Sequence, residues 1–185
     1  MEKLSLESFR GQKFPFHINT GIAVFQVKNI IEERYQLDFD VFLPSKGMNL
    51  QRPLVWTLLQ KQQLIISIFK GMKLPNLTLI RFKDGDKLER DVTYQVIDGK
   101  QRLTTMIDFC RGLFPIEVDG AEYYYDDLPE KLQHEISWFW VVADVGYDYV
   151  SEPISDEDKI RWFSLINFSG TPQDLEHMKS LQSKI

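Results

Sequence analysis

The chain has 185 residues, 43% of them hydrophobic and 13% aromatic, which suffices for the core of one domain, or of one with a small extension. Its net charge of −5 argues against a general polyanion-binding surface, since such binding needs dense Lys and Arg, but leaves room for a local basic cleft. A single cysteine, Cys110, excludes an intramolecular disulfide framework and is best interpreted as a small buried hydrophobe. We find no signal-peptide pattern and no membrane-spanning apolar run, so we expect a cytoplasmic protein without membrane contact.

Helical and strand patterns mix along the whole chain, which predicts an α/β or α+β class. Thr57 suits the start of one helix and Gly71 its end, while Ser155 and Asp158 resemble a capping box that opens another. The Asp84-Gly85 turn between two apolar strands predicts a hairpin. In chain order the predicted elements are a helix at 27–35, a strand at 39–43, a helix at 58–70, strands at 77–82 and 92–97, a helix at 101–111, a strand at 114–118, a helix at 130–137, a strand at 138–143, and helices at 155–165 and from 171.

The most informative segment is residues 94–105, in which an apolar strand runs into Asp98-Gly99 and a helix follows. The first turn of a helix has N–H groups without intrahelical partners and a positive dipole end, and such an end binds phosphate readily. Arg102 adds a planar fork suited to phosphate oxygens, and Asp98 is placed to hold a metal, a ribose hydroxyl or Arg102 itself. The alternative is an ordinary turn, with Asp98 as a helix cap and Arg102 on the surface.

Two further segments are candidates for the same site. Arg52 precedes Pro53, which disfavours a helical conformation for it, so an extended Arg52 just before a helix can be aimed at a ligand. The alternative is a turn arginine, with Trp56 as plain core. Residues 167–172 join two helices through Gly170, and a simple helix–helix turn is the alternative there.

Together these segments resemble the N-terminal domain of GmrSD-type, modification-dependent (type IV) restriction endonucleases, a family of the ParB/sulfiredoxin-like superfamily. The matched positions run from about residue 43 to 175 and thus cover most of the chain. They are Gln51, Arg52, Pro53 and Trp56; Ser67, Ile68, Gly71 and Pro75; residues 97–105; and Asn167, Gly170, Thr171 and Pro172.

The resemblance implies a single ParB/sulfiredoxin-like domain over 1–185, with a core at about 22–180 and a small mixed sheet surrounded by helices. It also implies binding and hydrolysis of a nucleoside triphosphate of unknown identity, with Mg²⁺ as a candidate ion on Asp98. The implied catalytic residues are Asp98, Gln101 and Arg102. The implied nucleotide-binding residues are Gln51, Arg52, Gly99, Lys100, Thr104, Thr105, Asn167, Gly170 and Thr171.

The chain departs from the family pattern in three ways. Lys100 stands where the family often has Gln, residues 45–50 lengthen the path to Gln51, and no HNH-like nuclease motif is present. The histidines have no metal-ligand spacing, so we expect the chain not to be a nuclease on its own. They are His17, His134 and His177.

Three functions stay open at this point. The first is an NTPase, and the second is a non-hydrolysing, nucleotide-responsive module that engages DNA, a separate HNH-type nuclease or another protein. The third is direct DNA recognition by basic residues gathered near one cleft, with Tyr123–Tyr125 as stacking surfaces and with Trp138 and Trp140 as core. Those basic residues are Lys46, Arg52, Lys61, Lys100, Arg102 and Arg111. The oligomeric state is not predicted.

Overall fold

A computed structural model describes residues 18, 20–82, 93–148 and 154–168, and it confirms the mixed α/β class. The described strands are β1 Thr20–Gln26, β2 Gln36–Asp38, β3 Phe42–Leu43, β4 Met48–Asn49, β5 Leu77–Phe82, β6 Thr93–Asp98, β7 Ile116–Val118, β8 Ala121–Tyr123 and β9 Trp140–Asp148. The described helices are α1 Val27–Ile31, α2 Leu58–Phe69, α3 Lys100–Cys110, α4 Glu130–Ser137 and α5 Asp156–Phe168, with a 3₁₀ turn at Tyr125–Asp127.

The main sheet has five described strands in the order β1-β9-β5-β6-β2. β5 and β6 are antiparallel neighbours, so the predicted hairpin is confirmed, while its turn lies outside the described residues. β9 runs parallel to β5 and antiparallel to β1, and β2 runs parallel to β6. Two small antiparallel pairs, β3-β4 and β7-β8, lie outside this sheet.

Both faces of the sheet are covered where β5 and β6 run. On one face, buried Leu79 and Val96 pack in the larger core with residues of α1 to α4 such as Ile65. On the other, Ile80 and Ile97 pack with α5 and the β3-β4 pair in a second core. The sheet period of two places successive residues on opposite faces, so β6 contributes to both cores. The end of β6 that leads into Gly99 is therefore held by packing on both faces of the sheet.

Three predicted helix boundaries are confirmed. The Thr57 hydroxyl accepts the Gln60 N–H at 3.3 Å while the Gln60 side chain accepts the Thr57 N–H at 2.9 Å, a reciprocal capping box. α2 ends at Phe69 with Lys70 as its C-cap, and Gly71 follows with a φ of +71° that a residue with a Cβ rarely adopts. At the start of α5, the Ser155 hydroxyl accepts the Asp158 N–H at 3.1 Å.

The strand predicted at 39–43 is wrong over most of its length. Asp38 Oδ1 accepts the N–H groups of Asp40 and Val41 at 3.0 and 2.9 Å, which turns the chain. Val41 consequently has a φ of +49°, and only Phe42–Leu43 is extended, while the longer pairing is made upstream by Gln36–Asp38.

The core placement of two tryptophans is also wrong. Trp138 ends α4 and stacks on His134, with 41% of its surface exposed. Trp140 begins β9, two residues later than the strand was predicted, and is 59% exposed, while buried Val141 takes the inward direction. None of the helices in the described part of the chain combines the length and apolar character of a bilayer-crossing segment.

Candidate functional site

The centre of the candidate site is the tight turn from β6 into α3. Gly99 caps α3 with a φ of +108°, and no side chain caps the helix. A Cβ at this position would lie 2.2 Å from Leu77 Cδ2, which is itself buried. Only glycine therefore permits both the backbone conformation and the close approach of the two segments. The N–H groups in the first turn of α3 have no intrahelical partner, and they face the space beside this turn.

Arg102 joins the two sides of this turn. Its Nη2 donates to Asp98 Oδ2 at 2.7 Å and to the Asn76 carbonyl at 3.3 Å, and its Nη1 donates to the Pro75 carbonyl. Both side chains of the ion pair are mostly buried. Arg102 has five N–H donors, so two remain for a ligand. Within the described residues, Asp98 Oδ1 makes no hydrogen bond.

Gln51 fixes the position of the second segment. Its Nε2 donates to the carbonyl oxygens of Val96 and Ile97 at 2.7 and 2.5 Å, close to the end of β6. The Gln51 Nε2 group is thus used for structure, whereas the family resemblance implied a nucleotide contact for this residue. Its effect is to place the next residue, Arg52, beside the turn.

Gln101 fastens the same segment from the other side. Its Nε2 donates to the Pro53 carbonyl at 3.0 Å, and its Oε1 accepts the N–H groups of Val55 and Trp56 at 3.2 and 3.3 Å. Both ends of this amide are therefore occupied, and the geometry is that of a structural clamp rather than of the predicted catalytic group. Arg52 lies between the two glutamine anchors.

These residues enclose a cleft of about 70 Å³. Among the described residues, no hydrogen bond or ion pair holds the Arg52 guanidinium. The volume suits a phosphate-sized anion and not a whole nucleotide, since pockets for drug-sized ligands span about 300–1,000 Å³. The lining residues are Gln51, Arg52, Trp56, Asp98, Gly99, Lys100, Gln101, Arg102 and Phe163.

Other predicted contact residues lie elsewhere. Thr104 lines a neighbouring cavity of about 630 Å³, and the Thr105 hydroxyl is buried and donates to the Gln101 carbonyl at 2.7 Å. The Asn167 amide is buried and donates to the Phe163 carbonyl at 2.7 Å. The geometry does not support nucleotide contacts by Thr105 or Asn167. Gly170 and Thr171 lie outside the described residues.

Lys100 lies at the border between the cleft and the 630 Å³ cavity. Its Nζ is 2.8 Å from Asp40 Oδ1, and its side chain is largely buried. The ion pair with Asp40 partly neutralises the positive charge of Lys100, which was expected to contribute to nucleotide binding. Arg52 is thus the more available cation of the two.

Two lining residues were missed as site residues. Trp56, which the alternative interpretation placed in the core, packs against the larger core and also lines the cleft. Phe163 comes from α5, on the opposite side of the sheet, and no local motif marks it. Spacing relative to Arg52 was the available signal for Trp56.

Three of the six basic residues predicted to gather near one cleft do so. Arg52, Lys100 and Arg102 line it together. Lys61 pairs with Asp108 at 3.2 Å, and Lys46 pairs with Glu157 at 2.8 Å. The hydrogen bond from Lys46 lowers the pKa of Glu157. This arrangement does not favour direct binding of DNA by an extended basic surface.

Cys110 lies at the end of α3, away from the cleft. Burial raises the pKa of its thiol to about 12, so the thiol is protonated at pH 7. This environment agrees with the predicted role as a small hydrophobe, because the thiolate is the reactive form. In the described part of the chain, no three His, Cys, Asp or Glu side chains group as metal ligands.

Residues 27–180 match the family model described as the GmrSD restriction endonuclease, N-terminal domain. The chain belongs to this family. The match spans all three motif segments, so the predicted family is confirmed, and membership implies DNA as the molecule on which the restriction system acts. No curated protein and no solved structure matches the chain. The ParB/sulfiredoxin-like assignment stays a prediction, as do the domain limits 1–185.

Proposed function

We propose that this GmrSD N-terminal domain binds a nucleoside triphosphate by its phosphates at the start of α3 and hydrolyses it to control DNA restriction. The observation that carries the proposal is Arg52. Its guanidinium lines the cleft and has no partner among the described residues. The residues on either side of Arg52 are nevertheless held by hydrogen bonds, Gln51 to Val96 and Pro53 to Gln101. A half-buried charge without a partner is costly, and an anionic ligand would offset that cost.

The cleft combines three kinds of phosphate donor. Arg52 offers a planar fork that matches two phosphate oxygens, and Arg102 keeps two donors after its bonds to Asp98, Pro75 and Asn76. The uncapped start of α3 adds backbone N–H groups and the positive end of the helix dipole. Together these groups would hold a phosphoryl group and stabilise negative charge that develops on it during transfer.

A Mg²⁺ ion is compatible with the cleft. Mg²⁺ in nucleotide sites is bound by one or two carboxylates together with substrate phosphates, and Asp98 Oδ1 is a carboxylate oxygen not engaged by the described residues. Asp98 would hold the ion, which would supply charge neutralisation at the phosphates. Arg102 would keep the carboxylate oriented.

The test compares Arg52→Ala with Arg34→Ala, a control at an exposed arginine paired with Glu32. Thermal unfolding is followed with ATP, GTP, CTP and UTP in the presence of Mg²⁺. A nucleotide that binds the folded state raises the midpoint, and we expect this rise in the wild type and in the control but not in Arg52→Ala. If no nucleotide raises the midpoint of the wild type, the proposal is wrong.

A second candidate is a nucleotide-responsive switch without turnover, which would engage DNA or a partner nuclease. It is favoured by the engagement of the Gln51 and Gln101 amides and of one Asp98 oxygen in internal bonds, which leaves few groups in the cleft to orient a water. Phosphate release at saturating nucleotide separates the two. Release that is lost in Arg52→Ala supports hydrolysis, and binding without release supports the switch.

A further inference from the structure

We infer that two copies of this chain associate through β1, which pairs in an antiparallel manner with β1 of the second copy. The inference concerns an interaction surface and does not depend on the proposed nucleotide site. β1 lies at one edge of the five-strand sheet and pairs with β9 on its inner side. On its outer side, no strand among the described residues bonds the N–H and C=O groups that point away from β9. Such a row of backbone groups is a template for another strand.

The two edges of the sheet differ in their protection against such pairing. Natural edge strands are typically short, charged, bulged or interrupted by proline. β2, at the opposite edge, has three residues and ends at Asp38, whose carboxylate turns the chain. β1 has seven residues, none of them charged and none of them proline, and its register with β9 runs without a shift from Thr20 to Gln26. β1 therefore lacks each of the features that protect β2 and other natural edges.

Two apolar side chains of β1 are in contact with water. Ile22 is 72% exposed and Val24 is 50% exposed, and neither belongs to either core. The strand period places both on one face, opposite to Phe25, which is buried in the larger core. β-Branched side chains at a sheet edge are a surface that a cross-strand neighbour covers well.

The order of residues in β1 fits a second copy of the same strand. With a two-fold axis at Ala23, the midpoint of β1, Ile22 of each copy lies opposite Val24 of the other. Directly opposite side chains of an antiparallel pair contact each other on the same face, so both exposed residues gain an apolar neighbour. The same axis places Thr20 opposite Gln26, which brings polar residues together at both ends. No like charges meet in this register, because β1 carries none.

The size of this contact sets its expected strength. A standard stable interface uses about 20–30 residues a side, and a pair of seven-residue strands is smaller. We therefore expect a dimer in exchange with the monomer, whose population rises with the concentration of the chain.

The first test is sedimentation equilibrium of the full chain over a concentration series. The average mass of the wild type should rise from that of one chain toward that of two. Ile22→Lys should raise the dissociation constant of the dimer about ten-fold, since it removes the contact with Val24 and places a charge on the edge. Val24→Lys should have the same effect, because the two-fold axis makes the two residues partners. Leu113→Lys is the matched control, at a leucine that is 66% exposed and lies outside β1, and it should match the wild type.

The second test measures the register. A nitroxide label on Thr20→Cys should lie about 20 Å from its copy by electron–electron double resonance, since each residue 20 is three residues of about 3.4 Å from the axis at Ala23. The wild type, treated in the same way, controls for labelling of Cys110. A monomer at every concentration, or a dimer that neither lysine variant weakens, would overturn the inference. A label distance well away from 20 Å would overturn it too, because the copies would then meet in another register or through another surface.

Discussion

Two arginines line the same cleft, and the chain holds them in opposite ways. Arg102 emerges from the first turn of α3 and is bonded to Asp98, Pro75 and Asn76. Arg52 emerges from a segment without regular structure, and its guanidinium has no partner among the described residues. Gly99 also lines the cleft, and its lack of a side chain permits the close approach of the turn before α3 to Leu77.

The difference indicates a division of labour. Hydrogen bonds of Arg102 and Gln101 fix the start of α3, which we call the frame. Arg52 is the side chain that this frame places at the cleft. Placing a charged group before the ligand arrives lowers the cost of ordering it on binding. We therefore expect changes at the frame to alter stability first, and changes at Arg52 to alter binding first.

The largest expected effect is loss of the frame in Gly99→Ala. The new Cβ would lie 2.2 Å from Leu77 Cδ2 in a backbone conformation with a φ of +108°. Overpacking and backbone strain each cost about 1–3 kcal/mol, so we expect the free energy of unfolding to fall by about 2–6 kcal/mol. Urea denaturation measures this change.

The control for this prediction is Gly112→Ala. Gly112 also has a positive φ, of +69°, but no atom lies within 4 Å of the added Cβ. Its cost should be limited to the conformational term, about 1–2 kcal/mol. Equal losses in the free energy of unfolding of the two variants would show that contact with Leu77 is not the reason for glycine at position 99.

The next effect compares the two arginines directly. Arg102→Ala leaves Asp98 and two carbonyl groups without their partner, and we expect a loss of about 2 kcal/mol in the free energy of unfolding. Arg52→Ala should change it by less than about 0.5 kcal/mol, as is usual away from fixed contacts. Urea denaturation of both variants without nucleotide measures these changes. A larger loss in the free energy of unfolding for Arg52→Ala than for Arg102→Ala would contradict the division of labour.

Local signals predicted much of the fold. The α2 boundaries at Thr57 and Gly71 and the start of α5 at Ser155 follow from caps within a few residues, which a sequence displays directly. The start of α3 was predicted from Asp98-Gly99 for the same reason. The prediction of a strand at 39–43 was wrong because two hydrogen bonds accepted by the Asp38 side chain outweighed the alternation of apolar residues.

The roles within the site were less predictable, because they depend on distant partners. The bonds of Gln51 to Val96 and of Gln101 to Trp56 join residues 45 positions apart, and that of Lys100 to Asp40 joins residues 60 apart. The sequence identifies the motif residues, but it does not distinguish a glutamine that clamps the backbone from one that contacts a ligand. This distinction is set by tertiary packing.

The loss of stability expected for Gln101→Leu is smaller than that for Arg102→Ala, and this variant is the sharpest test of how the two regions cooperate. The change removes three bonds to the segment that follows Arg52, and we expect a loss of about 1–2 kcal/mol in the free energy of unfolding. Gln63→Leu, at an exposed position of α2, is the control. Because Gln101 would act on nucleotide binding through Arg52, its effect on affinity should disappear in an Arg52→Ala background. Additive losses of affinity in the double variant would instead indicate that Gln101 contacts the nucleotide itself, as the sequence predicted, and that the clamp is secondary.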